Sequence, residues 1–440
     1  MRRRFVYFAL AALLALLAAA CGGGSSESSG TGTSGGANQD VSGSVSLMGI
    51  WVGTEQQSIQ AVLDGFKEKY PNVDVKYNAA GDNIVTVLAT AVQGGNPPDL
   101  ATIAQPGTIA EYAKAGDLQP IDFAKDTIAA NFDDSIVELG TVDGKLYSFL
   151  FKGANKSTVW YNVPVFKDAG VEPPKTWDEF LQNAQTLKAS GVPAYSIGGA
   201  DGWTLTDLFE NIYIRTAGPE MYDKLATHEI PWTDQSVKDA LTEMGKILGD
   251  TDNIAGGKQG ALQTDFPTSV TQVFADPPKA AQVIEADFVA GEIVNSTKAQ
   301  PETGFNEFAF PSINDSPAMV VGGGDQVVMF KDSPAAEALV EYLASPEAAA
   351  IWVKRGGFSS PNKNVDENDY PDPILRATAT ALASAESFRF DLSDLQPSAF
   401  GGTVGQGLFK LFQDFLANPN DVDGIAQQME DAAQKAYGNS

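Results

Sequence analysis

Aromatic rings and carboxylates occur together at the predicted ends of several strands. Trp51 and Glu55 fall where the first predicted strand meets the first predicted helix, and Gln105 follows the third strand. Asp287 and Phe288 end the segment VIEADF, which is also typical of a strand. Because ligands of parallel α/β sheets bind outside the carboxyl ends of the strands, we expect these side chains to share one site.

This mixture of residue types suits the recognition of a sugar. A pyranose ring has faces rich in C–H groups, which pack on aromatic rings, and a rim of hydroxyl groups, which need hydrogen-bond donors and acceptors. Trp203, in the glycine-rich segment GGADGWTL ahead of a predicted helix, is a further candidate for ligand contact. Trp177 falls inside a helix-capping motif and Trp352 inside a predicted helix, so both are expected to pack in the core, whereas Trp232 fits either role.

Residues for nucleophilic, nucleotide or metal chemistry are sparse. His228 is the sole histidine, so a histidine-based triad or a multi-histidine metal site would rest on one residue. The segment GGKQG lacks the spacing of a phosphate-binding loop. The glycines at 322–324 come before a predicted strand, whereas the glycines of a dinucleotide-binding fingerprint come after one. A flexible segment remains the alternative for these glycines. The acidic residues at 366–373 lack the alternating ligands of a calcium loop. We therefore expect no catalytic residues, no cofactor and no metal site.

Composition and charge restrict the architecture and the partners. The chain of 440 residues carries a formal net charge of −27, which repels nucleic acid and anionic lipid headgroups. Its single cysteine, Cys21, allows no disulfide and no thiolate metal site within the chain. The roughly 400 residues beyond the N-terminal segment exceed what one core usually serves, so we expect two domains.

The first forty residues predict export. Three arginines and a long apolar run make residues 1–20 typical of a secretory signal peptide. Ala19, Ala20 and Cys21 resemble the lipobox of bacterial lipoproteins, in which the cysteine carries the lipid. An ordinary signal peptide that is cleaved nearby is the alternative. Residues 21–40, rich in Gly and Ser, are expected to form a flexible tether. Both alternatives place the mature protein outside the cytoplasm.

The order of elements predicts parallel sheets flanked by helices. Residues 44–51 alternate as a strand, and a capping motif at 54–57 precedes apolar residues at helical spacing. A second strand, a second helix and the strand PPDLATIA complete a βαβαβ order. A similar order begins after KSTVWYNVPVF, with a second capping motif at 176–179, and the chain ends in helices.

Several segments are similar to the extracellular solute-binding proteins of bacterial ABC importers, in the carbohydrate-binding group related to maltose-binding proteins. The resemblance covers nearly all of the mature chain, and KSTVWYN, FADPPKAAQVIEADFVAG and FRFDLSDLQP are most similar to the α-glucoside-binding branch. It implies an α/β fold of two lobes, each a mostly parallel sheet flanked by helices, joined by hinge crossovers. Lobe 1 would comprise 41–152 and 315–357, and lobe 2 would comprise 153–314 and 358–440.

The resemblance also implies ligand contacts at strand ends, at the first crossover, at the return to lobe 1 and in FRFDLSD. In chain order these are Trp51, Glu55, Gln105, Asn155, Lys156, Asp287, Phe288, Gly324, Asp325, Arg389, Asp391 and Asp394. Many relatives have an aromatic residue where Asp325 stands. Arg389 either donates to sugar hydroxyls or forms an ion pair with one of the two neighbouring aspartates.

The implied function is the capture of a sugar, an α-glucoside or an oligosaccharide, in a cleft that closes between the lobes. The membrane permease would recognise the closed form, and no bond in the sugar would be broken. The implied partners are the carbohydrate, the permease subunits and, through a lipid anchor only, the membrane; a monomer is expected. Two alternatives remain: a receptor of the same fold for a polyamine or another small solute, and a secreted glycoside hydrolase with two catalytic carboxylates.

Overall fold

The computed structural model describes residues 40–383 and 387–438. The predicted signal peptide (1–20), Cys21 and all but the last residue of the predicted tether (21–40) lie outside these ranges. None of the helices within the ranges combines the length and the apolar character that crossing a membrane requires. The described residues form 12 β-strands and 20 α-helices, which we number in chain order.

The strands are β1 (Gly43–Gly49), β2 (Val73–Ala79), β3 (Leu100–Ile103), β4 (Thr141–Val142), β5 (Lys145–Leu146), β6 (Ser148–Asn155), β7 (Thr158–Asn162), β8 (Tyr195–Ser196), β9 (Gln282–Ile284), β10 (Phe305–Ala309), β11 (Val320–Met329) and β12 (Phe388–Phe390). The helices are α1 (Gly53–Lys69), α2 (Ile84–Gln93), α3 (Pro106–Ala115), α4 (Lys125–Asn131), α5 (Asp134–Leu139), α6 (Val163–Ala169), α7 (Trp177–Ala189), α8 (Trp203–Ala217), α9 (Pro219–Ala226), α10 (Gln235–Leu248), α11 (Gly257–Ala261), α12 (Phe266–Phe274), α13 (Val289–Ser296), α14 (Pro334–Leu343), α15 (Pro346–Val353), α16 (Pro373–Ala383), α17 (Leu392–Leu395), α18 (Ser398–Gly401), α19 (Gly407–Ala417) and α20 (Val422–Tyr437).

Six of the described strands form the first sheet. β1 lies between β2 and β3 and is parallel to both, as the predicted βαβαβ order requires. β11 is antiparallel to β3 and to β6, and its first residues pair in parallel with β12. Helix α1 buries Ile59, Val62 and Phe66 in the core of this sheet because their spacing places them on one helix face. We call the elements around this sheet lobe 1.

Four of the described strands form the second sheet, in the spatial order β10, β7, β9, β8. β8 and β9 are parallel, whereas β7 is antiparallel to both of its neighbours. β8, β9 and β10 therefore share one direction, and β7, which enters from lobe 1, runs against them. The expected mostly parallel sheet is right in that three of the four strands share one direction. It is wrong in that only β8 and β9 pair in parallel. We call the elements around this sheet lobe 2.

The chain passes between the lobes on β6 and β11. β6 ends at Asn155, and β7 of the second sheet begins three residues later. β11 pairs with β12 through 320–322 and with β3 through 326–329, and its register with β6 shifts between Asp325 and Gln326. The glycines at 322–324 lie inside this strand and are not a flexible segment. The two-lobed α/β architecture is confirmed, and the lobe boundaries stay predictions.

The two predicted capping motifs differ in outcome. Thr176 caps α7: its hydroxyl accepts a hydrogen bond from the backbone N–H of Glu179, whose carboxylate accepts one from the N–H of Thr176. The motif at 54–57 is wrong as a cap because α1 already begins at Gly53. Thr54 therefore lies within the first turn of the helix and not at the N-cap position.

Candidate functional site

A cavity of about 360 Å³ lies between the two lobes, within the range of about 300–1,000 Å³ that is typical of small-molecule sites. Nine of the sequence-predicted site residues line it: Glu55, Gln105, Lys156, Trp203, Phe288, Gly324, Asp325, Asp391 and Asp394. The strand-end rule predicted Glu55, Gln105 and Phe288 among these residues, the glycine-rich segment indicated Trp203, and the resemblance implied the other five. The remaining four predicted residues lie outside the lining and are described below.

Three aromatic rings of lobe 2 form one wall of the cavity. Trp203 opens α8, Phe266 opens α12, and Phe288 immediately precedes α13. The ring centroids of Trp203 and Phe266 lie 5.4 Å apart, and Phe288 stands nearly perpendicular to Phe266 with the centroids 5.1 Å apart. Ile50 and Ile84 of lobe 1 also contribute apolar surface to the cavity. Such a surface suits the C–H face of a sugar ring.

Lys152 of β6 organises the polar groups on the lobe 1 side. Its ammonium lies 2.5 Å from a Glu55 carboxylate oxygen and 3.9 Å from one of Asp325, and 4.9 Å from the ring centroid of Phe288. Burial lowers the pKa of Lys152, but the charges of the two carboxylates outweigh it and raise the pKa above its usual value. Burial raises the pKa of Glu55, and Lys152 opposes this rise. The remaining carboxylate lone pairs are available to hydroxyl donors.

Lys156 lies on the crossover between β6 and β7. Its ammonium contacts Asp207 of α8 at 3.0 Å and also hydrogen-bonds Asp391, which follows β12. Burial alone would raise the pKa of Asp391, but the charge and hydrogen bond of Lys156 lower it to about 2. Carboxylate oxygens of Asp207, Glu210 and Asp391 lie within 4.8 Å of one another, a spacing that suits a cation, and the Lys156 ammonium supplies positive charge there.

Helices α17 and α18 belong to lobe 2, because Leu392 and Phe400 pack in the core around the second sheet. Gln105 of lobe 1 and Asp394 of α17 therefore connect the two lobes across the cavity. Gln105 Nε2, next to the start of α3, donates to Asp394 Oδ1 of α17 at 3.0 Å. Burial and the nearby charge of Asp391 raise the pKa of Asp394 to about 8. At neutral pH the Asp394 carboxyl is therefore mainly protonated, so it can donate as well as accept a hydrogen bond. A ligand hydroxyl bound to this pair would contact both lobes at once.

Trp51 lies beneath the cavity rather than in its lining. The residue is 1% exposed, and its ring packs on Trp352 and Phe151 with centroid distances of 4.9 and 5.8 Å. Its Nε1 donates to Asp325 Oδ2 at 2.6 Å. The predicted direct ligand contact does not fit this placement, because neighbouring side chains cover the ring. Trp51 instead orients Asp325 from the core.

Three further predicted contacts also lie outside the lining. Asn155 is buried and donates to a backbone carbonyl of α16, and buried Asp287 accepts a hydrogen bond from Ser359. Arg389 forms a two-pronged ion pair with Asp223, with N–O distances of 2.5 and 2.9 Å. Arg389 therefore forms an ion pair, as one alternative predicted, but not with Asp391 or Asp394. Its partner is Asp223, because β12 carries the guanidinium toward α9 of lobe 2.

Sequence reasoning missed several cavity residues. Asp82 follows β2, so the rule of strand ends would have found it. Burial and the charge of Asp201 raise the pKa of Asp82 to about 6. Lys152 and Phe266 carried no comparable signal, because their place in the cavity depends on how the two lobes face each other.

Comparisons with known proteins agree on one class. The family model for the bacterial extracellular solute-binding protein matches residues 51–350. The osmoprotective compounds-binding protein GgtB of Synechocystis sp. is 34% identical over 372 residues, which cover 83% of this chain and 87% of that protein. The alpha-glucosides-binding periplasmic protein AglE of Rhizobium meliloti is 33% identical over 409 residues, which cover 89% and 86%. A solved chitin oligosaccharide binding protein has the same fold, with a TM-score of 0.77, 22% identity, and coverage of 90% of this chain and 99% of that chain.

Proposed function

Because this chain belongs to the bacterial extracellular solute-binding protein family, we propose that it is the sugar receptor of an ABC importer and that its ligand is a small α-glucoside. The observation that carries the proposal is the cavity between the lobes, where an aromatic wall stands beside polar groups from both lobes. Its volume of about 360 Å³ lies near the lower end of the range for small-molecule sites. That size favours a ligand of a few sugar rings over a long oligosaccharide.

The proposed mechanism is capture by closure. The C–H face of the sugar lies on Trp203 and its neighbours, while its hydroxyls bind Gln105 and Asp394 from opposite lobes. A ligand that contacts both lobes binds the closed form more tightly and shifts the population toward it. The permease then accepts the sugar from the closed receptor, and the sugar leaves unchanged.

The charges of the cavity compensate one another only in part. Six carboxylates line the cavity with two lysines: Glu55, Asp82, Glu292, Asp325, Asp391 and Asp394, with Lys152 and Lys156. The lysines lie within salt-bridge distance of three of these carboxylates. The raised pKa of Asp394, about 8, removes much of a fourth charge at neutral pH. The two lysines and the protonated Asp394 therefore reduce the formal charge of these eight side chains from −6 to about −3, so a polyamine stays a competing ligand that the screen must include.

A thermal-shift screen of the purified chain tests the proposal. Maltose, trehalose and sucrose are the α-glucoside probes, cellobiose is the β-linked control, and spermidine represents the polyamines. A ligand present at about 100 times its dissociation constant stabilises the folded state by about 2.7 kcal/mol. Stabilisation by an α-glucoside supports the proposal, whereas stabilisation by spermidine alone contradicts it.

Two further measurements address the hydrolase and the membrane anchor. Chromatography of the probe sugar after long incubation should recover it intact; its cleavage, abolished by changing one cavity carboxylate, would favour the glycoside hydrolase.

The proposed lipid anchor on Cys21 keeps the receptor near its permease outside the cytoplasm. Mass spectrometry of the mature N-terminus should find more than one acyl chain, since a single chain holds only weakly.

A further inference from the structure

Helix α3 of lobe 1 lies directly against lobe 2 along one side. Gln105, just before the helix, donates to Asp394 in the cavity, and two turns later Glu111 reaches Ser398. Between them, a Cβ atom built on Gly107 would lie 2.1 Å from the carbonyl oxygen of Gln396. The helix therefore follows the backbone of 394–398 closely over its first two turns.

The contact of Glu111 with Ser398 is two-pronged. Oε1 of Glu111 accepts a hydrogen bond from the backbone N–H of Ser398 at 3.1 Å, and Oε2 accepts one from the Ser398 hydroxyl at 2.7 Å. Both residues are half-buried, and neither is among the cavity-lining residues. Hydrogen bonds to an ionised carboxylate are stronger than those between neutral groups. The pair therefore joins the lobes without needing a ligand.

The position of this contact relative to β11 makes it sensitive to hinge bending. One edge of β11 pairs with β3 of lobe 1 through 326–329 and with β12 through 320–322. β3 ends opposite Gln326 and β12 ends opposite Gly322, so α3, which follows β3, and α17 and α18, which follow β12, leave this edge near the middle of β11. The register shift between Asp325 and Gln326 lies between the two pairings. Bending β11 there would pull Glu111 away from Ser398.

We propose that Glu111 is a positioning residue that holds the lobes closed through Ser398 in the absence of ligand. The contact then sets the fraction of the ligand-free protein that is closed. The apparent affinity for a ligand of the closed form scales with that fraction, so Glu111 tunes affinity from outside the cavity. Only this statement about affinity rests on the proposed sugar-binding function.

Solution X-ray scattering of the ligand-free full chain tests the closure directly. Glu111→Ala removes both hydrogen bonds and should increase the radius of gyration most. Ser398→Ala keeps the backbone N–H and should give a smaller increase, and Glu111→Gln, which keeps an acceptor and the shape, should restore part of the closed form. The double variant Glu111→Ala/Ser398→Ala should match Glu111→Ala, since both changes remove one interaction.

Glu138→Gln, an exposed change on α5 of the same lobe, is the matched control and should scatter like the wild type. Equal radii of gyration for the wild type, Glu111→Ala and Ser398→Ala, each shown to be folded by circular dichroism, would overturn the proposal. Calorimetry with maltose adds a second readout, in which Glu111→Ala should bind about tenfold more weakly. If maltose does not bind the wild type but the scattering shifts as expected, the proposed ligand fails and the closure contact stands.

Discussion

Trp203 is the aromatic residue on which a bound sugar would depend most directly. It opens α8, faces Phe266 and Phe288, and lies under the Lys156 ammonium at 5.9 Å from the ring centroid. Trp203→Ala should weaken the binding of the sugar found by the screen by about 1–2 kcal/mol, because the ring supplies both contact area and stacking. Calorimetry measures the change.

Phe123→Ala is the control for this change, since Phe123 is a partly exposed aromatic residue outside the cavity lining. It should leave the affinity unchanged. Equal affinities for Trp203→Ala and the wild type would show that the aromatic wall is not the sugar platform.

Two basic residues that the sequence placed together in the site should behave differently. Lys156 is buried between Asp207 and Asp391, so Lys156→Met leaves two buried carboxylates without their counter-charge. We expect the free energy of unfolding to fall by about 3–5 kcal/mol. Arg389 pairs with Asp223 near the surface, so Arg389→Met should cost about 1 kcal/mol or less. Urea denaturation measures both.

The Arg389 variant also tests whether this residue contributes to sugar binding. Arg389→Met should also keep the sugar affinity of the wild type, because the guanidinium lies outside the cavity lining. A large loss of stability for Arg389→Met, or a small one for Lys156→Met, would contradict this assignment of buried and exposed ion pairs.

At the scale of the element, β11 depends on glycine at one position above all. Gly324 has a φ of +149°, and a Cβ atom there would lie 2.0 Å from the carbonyl oxygen of Lys152 in β6. Gly324→Ala should therefore lower the free energy of unfolding by about 2–4 kcal/mol, through backbone strain and the forced separation of the strands.

Gly116→Ala isolates the conformational part of that cost. Gly116 also has a positive φ, +80°, but a Cβ atom there would meet no atom within 4 Å. Its substitution should cost about 1 kcal/mol. Thermal unfolding of the two variants compares them, and equal losses would mean that the close approach of β11 to β6 adds nothing.

The elements themselves were predictable where the pattern was local. Alternation gave β1, helical spacing gave α1, and Thr176 with Glu179 gave the start of α7. The motif at 54–57 had the right residue types yet did not cap its helix, because α1 begins at Gly53, one residue before Thr54. The glycines at 322–324 were expected ahead of a strand but lie inside β11, where the backbone of β6 leaves no room for a side chain at Gly324.

At the scale of the whole molecule, the location of the site could be predicted from the sequence more completely than the side chains that line it. The ends of parallel strands meet at one edge of a sheet, so Glu55, Gln105 and Asp82 follow from topology. The bond of Gln105 to Asp394 joins residues 289 positions apart, and the contact of Glu111 with Ser398 joins residues 287 apart. Such pairs depend on the approach of two lobes, which no local pattern records.

The buried carboxylates of the whole molecule also make its stability depend on pH. Burial raises the pKa of Glu285 and of Asp394 to about 8, and that of Asp287 to about 6. A carboxyl whose pKa is higher in the folded state binds more protons there than in the unfolded chain. The free energy of unfolding therefore falls as pH rises from about 4 toward 8. Below pH 4 it falls again, as Asp391, whose pKa is lowered to about 2, becomes protonated.

Glu285→Gln tests this dependence at a residue outside the cavity lining. The Gln amide imitates the protonated carboxyl beside Asp207, so the variant should match the wild type near pH 5 and exceed its stability increasingly toward pH 8. One proton fewer changes the slope by at most about 1.4 kcal/mol per pH unit. Urea denaturation at a series of pH values measures the slope, with exposed Glu138→Gln as the control. Parallel pH profiles for Glu285→Gln and the wild type would show that Glu285 holds no extra proton in the folded state.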